Sequence, residues 1–372
     1  MKNLVIGNKT ASIPIIQGGM GVGVSRSSLA GAVAKEGGVG IISTAQIGYD
    51  EEGFDKNQAE CNLRAIDKHI KKAKEIAKGA GLVGVNVMVA LKHYKEHVTE
   101  AVKAGADVII CGAGLPADLP GIVAEAAEKF GKTKDEMPKI APIVSSEKAT
   151  KTILKLWSRK YNTTADFLVI EGPKAGGHLG FSNDQLNNIS ALDYDEEIRK
   201  IIACKAEYEE KYNCHIPVAV AGGIHDHDDI VHALSLGADA VQMASRFVTT
   251  YECDASHAYK EAYLNARPED IKIIKSPVGM PGRALNNNFI KQVESERQPI
   301  RKCYNCLAKC NPGEVPYCIT KALIDAVEGD VENGLVFCGE NAGKLDRMMS
   351  VHELMQELCT GVSCDEFCKA AV

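Results

Sequence analysis

The chain has 372 residues, of which 45% are hydrophobic and 25% are charged, and its formal net charge is −6 at pH 7. These values are ordinary for a globular protein with a large core, and they argue against a disordered chain. The basic residues form no stripe along the sequence, so a nucleic-acid partner is not expected.

No segment of the sequence indicates a membrane association. The first nine residues are too few and too polar for a signal peptide, and no apolar run approaches the roughly 18 residues that cross a bilayer. We therefore expect a cytoplasmic protein without a membrane partner. The sequence leaves open whether it forms a homo-oligomer.

Eight short runs rich in Val and Ile recur along the chain, each followed by a turn signal and a helical stretch. They are almost continuously apolar, which is typical of strands that are buried on both faces. In chain order these predicted strands are 13–17, 39–43, 83–89, 108–111, 140–145, 167–170, 216–220 and 240–243. Eight strands that alternate with helices predict a (β/α)8 TIM barrel of the α/β class over residues 1–266. An open doubly wound sheet is the alternative.

The pattern changes after residue 266. A loop-like segment is followed by a cysteine-rich stretch at 303–318 and by two helical patterns, at 321–328 and 351–358. We expect residues 267–372 to form a C-terminal extension that packs on the barrel and does not fold as a separate domain.

Two loops late in the predicted barrel are suited to an anion. Ala221, Gly222 and Gly223 follow the seventh strand, and Ala244 and Ser245 follow the eighth. Consecutive glycines let backbone amides approach an anion, and the N-terminus of the next helix would add a positive potential. Barrels commonly bind a phosphate between these two loops. The sequence therefore predicts a phosphate site here, and ordinary tight turns are the alternative.

The loop after the sixth strand carries Gly176, Gly177 and His178. Barrel enzymes place catalytic groups at this end of the strands. An imidazole with a near-neutral pKa suits proton transfer or a hydrogen bond to a developing anion. We therefore predict that His178 is catalytic, with a solvated surface histidine as the alternative.

The first strand ends in a glycine-rich loop that contains Gly19, Met20 and Gly21. Its spacing does not match the dinucleotide-binding fingerprint, so a Rossmann site is not expected. A flat backbone here suits the face or edge of an isoalloxazine ring. Asn86 on the third strand is suited to hydrogen bonds with ring heteroatoms, and an internally satisfied core asparagine is the alternative.

These segments together carry a family resemblance. They are IIQGGMGVGVS with LAGAVAKEGGVGIIS, GVNVMV, EGPKAGGHLG, and VAVAGGI with ALSLGADAVQMASRF. In order and spacing they are similar to the nitronate monooxygenase family, formerly called 2-nitropropane dioxygenases, which also includes a flavin-dependent enoyl-ACP reductase. The resemblance implies FMN as the cofactor and places His178 beside the substrate. The expected cofactor contacts are Gly19, Met20, Gly21, Asn86, Gly176, Gly177, Ala221, Gly222, Gly223, Ala244 and Ser245.

Two positions depart from the family pattern. Many members have Gly-Thr after the eighth strand, where this chain has Ala244 and Ser245. The usual acidic residue before AGGH is Lys174 in this chain. The second change reverses a charge close to the predicted site.

The chain has thirteen cysteines, eight of them between residues 303 and 368. Cys303, Cys306, Cys310 and Cys318 have a spacing that could wrap zinc or an iron–sulfur cluster. The stretch resembles the cluster-binding segment of the iron–sulfur members of the old yellow enzyme family, although the spacing to the fourth cysteine differs. Free or partly disulfide-linked structural cysteines are the alternative. A second group, of unassigned spacing, is Cys338, Cys359, Cys364 and Cys368.

Three functions follow from these predictions, each with a small-molecule ligand. The first is FMN-dependent oxidation of alkyl nitronates or nitroalkanes to a carbonyl compound and nitrite, with His178 orienting or deprotonating the substrate. The alternative is an NAD(P)H-dependent reduction of an enoyl thioester. The third is a flavin- or metabolite-binding protein without catalysis.

Overall fold

Eight parallel strands form a closed barrel in the computed structural model of the protein, which describes residues 1–362. The strands, numbered along the chain, are β1 (Leu4–Ile6), β2 (Lys9–Ala11), β3 (Ile15–Gln17), β4 (Val39–Ser43), β5 (Leu82–Met88), β6 (Val108–Gly112), β7 (Lys139–Val144), β8 (Leu168–Glu171), β9 (Gly177–His178), β10 (Val218–Ala221), β11 (Ala240–Met243), β12 (Ile271–Lys275) and β13 (Pro281–Leu285).

The barrel order is β3, β4, β5, β6, β7, β8, β10 and β11, and β11 pairs with β3 to close the ring. Each of the eight predicted strands overlaps one of these. The predicted TIM barrel is therefore confirmed, and the open doubly wound sheet is excluded by the pairing of the first strand with the last.

Helices cover the outside of the barrel. They are α1 (Ser27–Lys35), α2 (Gln58–Ala77), α3 (Tyr94–Ala104), α4 (Leu119–Lys129), α5 (Glu147–Tyr161), α6 (Asn183–Asn187), α7 (Tyr194–Cys204), α8 (Ala206–Tyr212), α9 (His227–Ser235), α10 (Ser245–Val248), α11 (His257–Leu264), α12 (Asn288–Ser295), α13 (Ile319–Glu328) and α14 (Val351–Thr360). Short 3-10 turns lie at Ile189–Ala191, Pro268–Asp270 and Glu340–Lys344. Within residues 1–362, none of the helices is both long and apolar enough to cross a membrane.

The strands bury apolar side chains on both faces, which is why they show no polar alternation. In β4, Val39 and Ile41 point into the barrel, whereas Ile42 packs outward against the helices. The antiparallel hairpin of β1 and β2 adds Leu4 and Ile6 to the inner cluster. Burial of one such side chain stabilises the fold by roughly 1.5–3 kcal/mol.

The segment after residue 266 contacts the barrel in two places. Strand β13 pairs with β12 and with β9, so it reaches the loop that follows β8. Helix α14 packs against α1 and α9, and Leu354 and Leu358 join the same hydrophobic cluster as the barrel helices. The two helical patterns predicted in this segment are confirmed as α13 and α14. The boundary at residue 266 stays a prediction.

Candidate active site

A cavity of about 460 Å³ lies at the end of the barrel where the strands terminate. Because side chains alternate along a strand, each barrel strand places one inward-facing residue at or near its C-terminal end, where it lines the cavity from below. We call these eight positions the floor residues. They are Gly18, Ser43, Asn86, Gly112, Ile143, Glu171, Ala221 and Gln242.

The loop after β3 is fixed against the floor. A Cβ on Gly19 would lie 2.8 Å from the Asn86 Cβ, so the structure brings these two predicted contacts together. Buried Gln17 accepts the Ile41 N–H at 3.1 Å through its Oε1, and its Nε2 donates to the Ser25 Oγ at 3.0 Å. Sequence analysis missed Gln17, although its position at the end of an apolar strand marks it as an unusual buried amide.

The predicted phosphate loops meet at one side of the cavity. Gly222 and Gly223 have φ values of +92° and +93°, a region that glycine adopts without strain. A Cβ on Gly222 would lie 2.9 Å from the Gly172 carbonyl oxygen. Ala221, Gly222 and Gly223 line the cavity together with Ala244 and Ser245, as do Gly176 and Gly177.

The helix that follows the first phosphate loop differs from the expectation. Helix α9 begins at His227, and its first turn contains Asp228 and Asp229. The Asp226 side chain accepts the Asp229 N–H at 3.0 Å and so caps the helix from within the chain. These carboxylates oppose the positive end of the helix dipole. The expected potential from this helix N-terminus is therefore offset by the chain's own acids.

Three consecutive residues of the extension, 339–341, each bond a different barrel loop. We call them the clasp segment. The bonds run from the Gly339 N–H to the Ser245 Oγ (3.2 Å), from the Glu340 N–H to the Lys174 carbonyl (3.2 Å) and from the Asn341 Nδ2 to the Gly223 carbonyl (2.7 Å). The clasp segment therefore ties the loops after β8, β10 and β11 together. No local pattern in the sequence indicates this role.

His178 lies in β9 and lines the cavity. Its Nε2 is 2.7 Å from the Ser276 Oγ, and the Phe337 ring packs edge-on at 5.0 Å between ring centroids. Burial lowers the pKa of His178 to about 4. The imidazole is therefore neutral at neutral pH.

Ser276 hydrogen-bonds one ring nitrogen of His178, and its other contacts indicate which nitrogen carries the hydrogen. Its Oγ is buried and accepts the Val278 N–H at 3.3 Å, so the hydroxyl hydrogen needs an acceptor of its own. Among residues 1–362, the acceptor next to it is the His178 Nε2. We infer that Nδ1 carries the ring hydrogen and keeps a donor available to a ligand. Sequence analysis missed Ser276, which lies in the hairpin between β12 and β13.

Glu171 is the one floor residue that can ionise. It follows Val169 by two positions and so points into the barrel as Val169 does. Burial raises the pKa of Glu171 to about 8, with no charged partner among residues 1–362 to lower it. The carboxyl group is therefore largely protonated near pH 7. The strand alternation could have identified this residue, but sequence analysis assigned it no role.

The four-cysteine metal site is not supported. Cys303, Cys306, Cys310 and Cys318 are all free thiols, and among residues 1–362 no three His, Cys, Asp or Glu side chains form a group that could hold a metal ion. Cys306 packs against the hydrophobic cluster of the extension, and burial raises its pKa to about 11. Its thiol is therefore protonated at neutral pH.

The structure describes two of the four cysteines in the second group. Cys338 is buried in the main hydrophobic cluster, and Cys359 packs against the same cluster from α14. Cys364 and Cys368 lie outside the described residues.

The fold and the cavity define an α/β barrel enzyme whose site is built from the loops at the C-terminal ends of its strands. A model of the family described as nitronate monooxygenase matches residues 2–361. The chain therefore belongs to the nitronate monooxygenase family, and it is an FMN-dependent oxidoreductase. The family resemblance drawn from the four glycine-rich segments is confirmed.

Individual relatives are distant. A protein of Staphylococcus aureus strain JH9 named "Probable nitronate monooxygenase" is 23% identical over 320 residues, which cover 78% of this chain and 80% of that protein. FabK from Thermotoga maritima superposes with a TM-score of 0.68 at 24% identity and covers 97% of this chain and 94% of that one. A nitroalkane oxidase from Streptomyces ansochromogenes gives 0.68 at 18% identity, covering 97% and 98%. At these identities the solved structures establish the fold alone.

Proposed function

We propose that the cavity binds FMN with its phosphate at the loops after β10 and β11 and its ring over the floor residues. The fit rests on three observations. Gly222 and Gly223 leave backbone exposed where a side chain would fill the space, and Ser245 adds a hydroxyl. Asn86 and Gln242 offer amide groups from the floor, and the cavity volume falls in the range of roughly 300–1,000 Å³ that small-molecule sites occupy.

We propose further that the enzyme oxidises alkyl nitronates. FMN, when bound, supplies the redox chemistry of this reaction. The observation that carries the proposal is the neutral His178, which lines the cavity with its Nε2 bonded to Ser276 and its Nδ1 without a hydrogen-bond partner among residues 1–362. A neutral donor of this kind suits an anionic nitronate oxygen.

The low pKa of His178 supports one of the two roles that sequence analysis left open for this residue. An imidazole whose pKa is about 4 is a weak base, because the buried site disfavours its protonated form. Deprotonation of a neutral nitroalkane is therefore poorly supported. We propose that His178 orients a nitronate that arrives already deprotonated.

Oxygen uptake and nitrite release by the FMN-loaded protein test the proposal. With preformed ethyl nitronate and no NADH, we expect both, at a rate well above that with neutral nitroethane. Rapid NADH consumption with a crotonyl thioester, and no nitrite from nitronate, would instead assign the enzyme to enoyl-thioester reduction. An inert flavin in both assays would leave a binding protein without catalysis.

The cytoplasmic location and the homo-oligomer stay predictions. Cell fractionation and light scattering on the purified protein test them.

A further inference from the structure

We propose that Lys174 supplies the positive charge that holds the FMN phosphate. This inference rests on the proposed FMN site and adds to it a residue that sequence analysis singled out only as a departure from the family pattern. The phosphate of FMN is a monoester, which carries about −1.5 to −2 charges near neutral pH.

The side chain of Lys174 runs along the glycine loop. A Cβ on Gly223 would lie 3.0 Å from the Lys174 Cδ and 3.1 Å from its Cβ. The two loops also touch through their backbones, because a Cβ on Gly222 would lie 3.0 Å from the Ala175 nitrogen. Lys174 lines the same cavity as these glycines. The aliphatic part of the Lys174 side chain therefore lies against the loop that we assign to the phosphate.

Lys174 is available as a counter-charge, whereas its cationic neighbours are engaged. Among residues 1–362, no carboxylate forms an ion pair with the Lys174 ammonium. The Arg246 guanidinium donates to the Glu357 carboxylate at 2.7 Å, and Arg283 donates to the Ala175 carbonyl. Both guanidinium groups are therefore held by the protein itself.

The remaining groups at this end of the cavity supply no net positive charge. Burial lowers the pKa of His225, and Lys344, a further cation that acts on His225, lines a separate pocket and not this cavity. Glu340 faces the cavity with a carboxylate 3.9 Å from the Arg283 guanidinium. The acids in the first turn of α9 add negative charge nearby. Backbone amides and the Ser245 hydroxyl bind a phosphate but do not neutralise it, so Lys174 is the group that can.

The inference is specific to this chain. Where the family usually has an acidic residue, an ammonium here turns repulsion of a phosphate into attraction. Binding of FMN should then depend on salt, because a charge pair at the mouth of the cavity is screened.

The test is a fluorescence titration of the flavin-free full-length protein with FMN and with riboflavin, which lacks the phosphate. Lys174→Gln should raise the Kd of FMN about tenfold, leave the Kd of riboflavin unchanged, and flatten the dependence of FMN binding on NaCl. Lys174→Arg should keep most of the FMN affinity. Lys155→Gln, which removes an exposed lysine on α5, is the matched control and should behave as wild type.

Three results overturn the inference. If Lys174→Gln binds FMN as wild type does, the ammonium plays no part at the phosphate, and a raised KM for substrate would then assign it to the substrate. Equal losses for FMN and riboflavin would place its effect on the ring or on the fold. If the wild-type protein binds neither flavin, the proposed cofactor site fails as well, and that outcome is distinct from the first two.

Discussion

The loops at the mouth of the barrel carry the groups that we propose for the reaction and for the phosphate, whereas the C-terminal extension carries groups that bond them. His178, Gly222 and Gly223 belong to the barrel loops and line the cavity. Ser276 and Asn341 belong to the extension and bond His178 and the Gly223 carbonyl, respectively. In the proposed site, chemistry and positioning therefore belong to two regions that are distant in sequence.

Substitutions in the two regions should therefore differ in the size of their effect on activity. Removing a group that touches the cofactor or substrate abolishes an interaction made in the reaction, which commonly costs orders of magnitude in rate. Removing a hydrogen bond that only positions such a group costs about 0.5–1.5 kcal/mol, or a few-fold to tenfold. The expected effects below follow this order.

The largest effect is expected for Gly223→Asp. The new Cβ would meet Lys174 at 3.0 Å at a φ of +93°, and the carboxylate would repel the phosphate. We expect the purified variant to contain no FMN by absorbance at roughly 450 nm, a position set by the flavin itself. Gly105→Asp is the matched control, because Gly105 has a φ of +82° with open space around it. A yellow Gly223→Asp protein would show that the phosphate site is misplaced.

His178→Ala should keep FMN and lose about 10²-fold or more in turnover, because a positioned donor to the substrate is removed. Because we assign His178 to orientation, the loss should appear with preformed nitronate. His257→Ala, an exposed histidine, is the control. Unchanged turnover with nitronate at full FMN occupancy would remove His178 from the proposed reaction.

Ser276→Ala should lower turnover about tenfold, because the His178 ring loses the bond that fixes its tautomer. Ser276→Thr keeps the hydroxyl and should restore most of the rate. The discriminating measurement is the ring-nitrogen NMR signal of His178, which should change from one tautomer to a mixture in Ser276→Ala. A wild-type spectrum together with a slow enzyme would mean that Ser276 acts by another route.

Asn341→Ala tests the clasp segment. It removes the donor to the Gly223 carbonyl and should raise the Kd of FMN about fivefold, because the glycine loop loses one positioning hydrogen bond. Asn333→Ala removes a surface asparagine of the extension and serves as the control. Equal FMN affinity in all three proteins would contradict a role of the extension in holding the phosphate loop.

Glu171→Gln should have the smallest effect on FMN retention and turnover, and it should act instead on the pH dependence of stability. The pKa of Glu171 in the folded protein is raised from its usual 4.5 to about 8, so the stability that this group contributes is fully present below about pH 4.5 and is lost as the pH rises through 8. Glutamine does not ionise, so the variant does not lose stability in this way. The free energy of unfolding in urea should therefore rise for the variant relative to wild type by on the order of 3 kcal/mol between pH 5 and pH 8.

Comparing the variant with wild type also removes a second pH dependence of the stability, which has the opposite direction and comes from buried histidines. Burial lowers the pKa of His69, His97 and His178 to about 4 in each case, which destabilises both proteins as the pH falls below about 6.5. A constant difference between the two proteins across the pH range would mean that Glu171 is ionised in the folded state.

The barrel and its loops could be predicted from the sequence because their signals are local. An apolar run such as Val39–Ser43 identifies a buried strand by itself, and Gly222 and Gly223 mark a close approach of backbone directly after a strand. The role of Ser276 could not be predicted, because it lies 98 residues from His178 and meets it only through the pairing of β13 with β9. The same holds for Asn341, which lies 118 residues from Gly223.

The cysteine prediction went beyond what the described residues support for the same reason. Spacing alone suggested a metal site, but the direction of each thiol depends on packing that spacing does not encode. Cys306 packs into the hydrophobic cluster of the extension, whereas Cys303 is exposed. Glu171 is the opposite case, because the alternation of inward positions along β8 could have identified it, although sequence analysis assigned it no role.

The most direct test of the central claim is anaerobic mixing of the FMN-loaded enzyme with ethyl nitronate in a stopped-flow spectrometer. We expect the flavin absorbance at roughly 450 nm to bleach with nitronate in the absence of NADH, and to bleach far more slowly in His178→Ala. An oxidised flavin that stays unchanged with nitronate but bleaches rapidly with NADH would contradict nitronate oxidation.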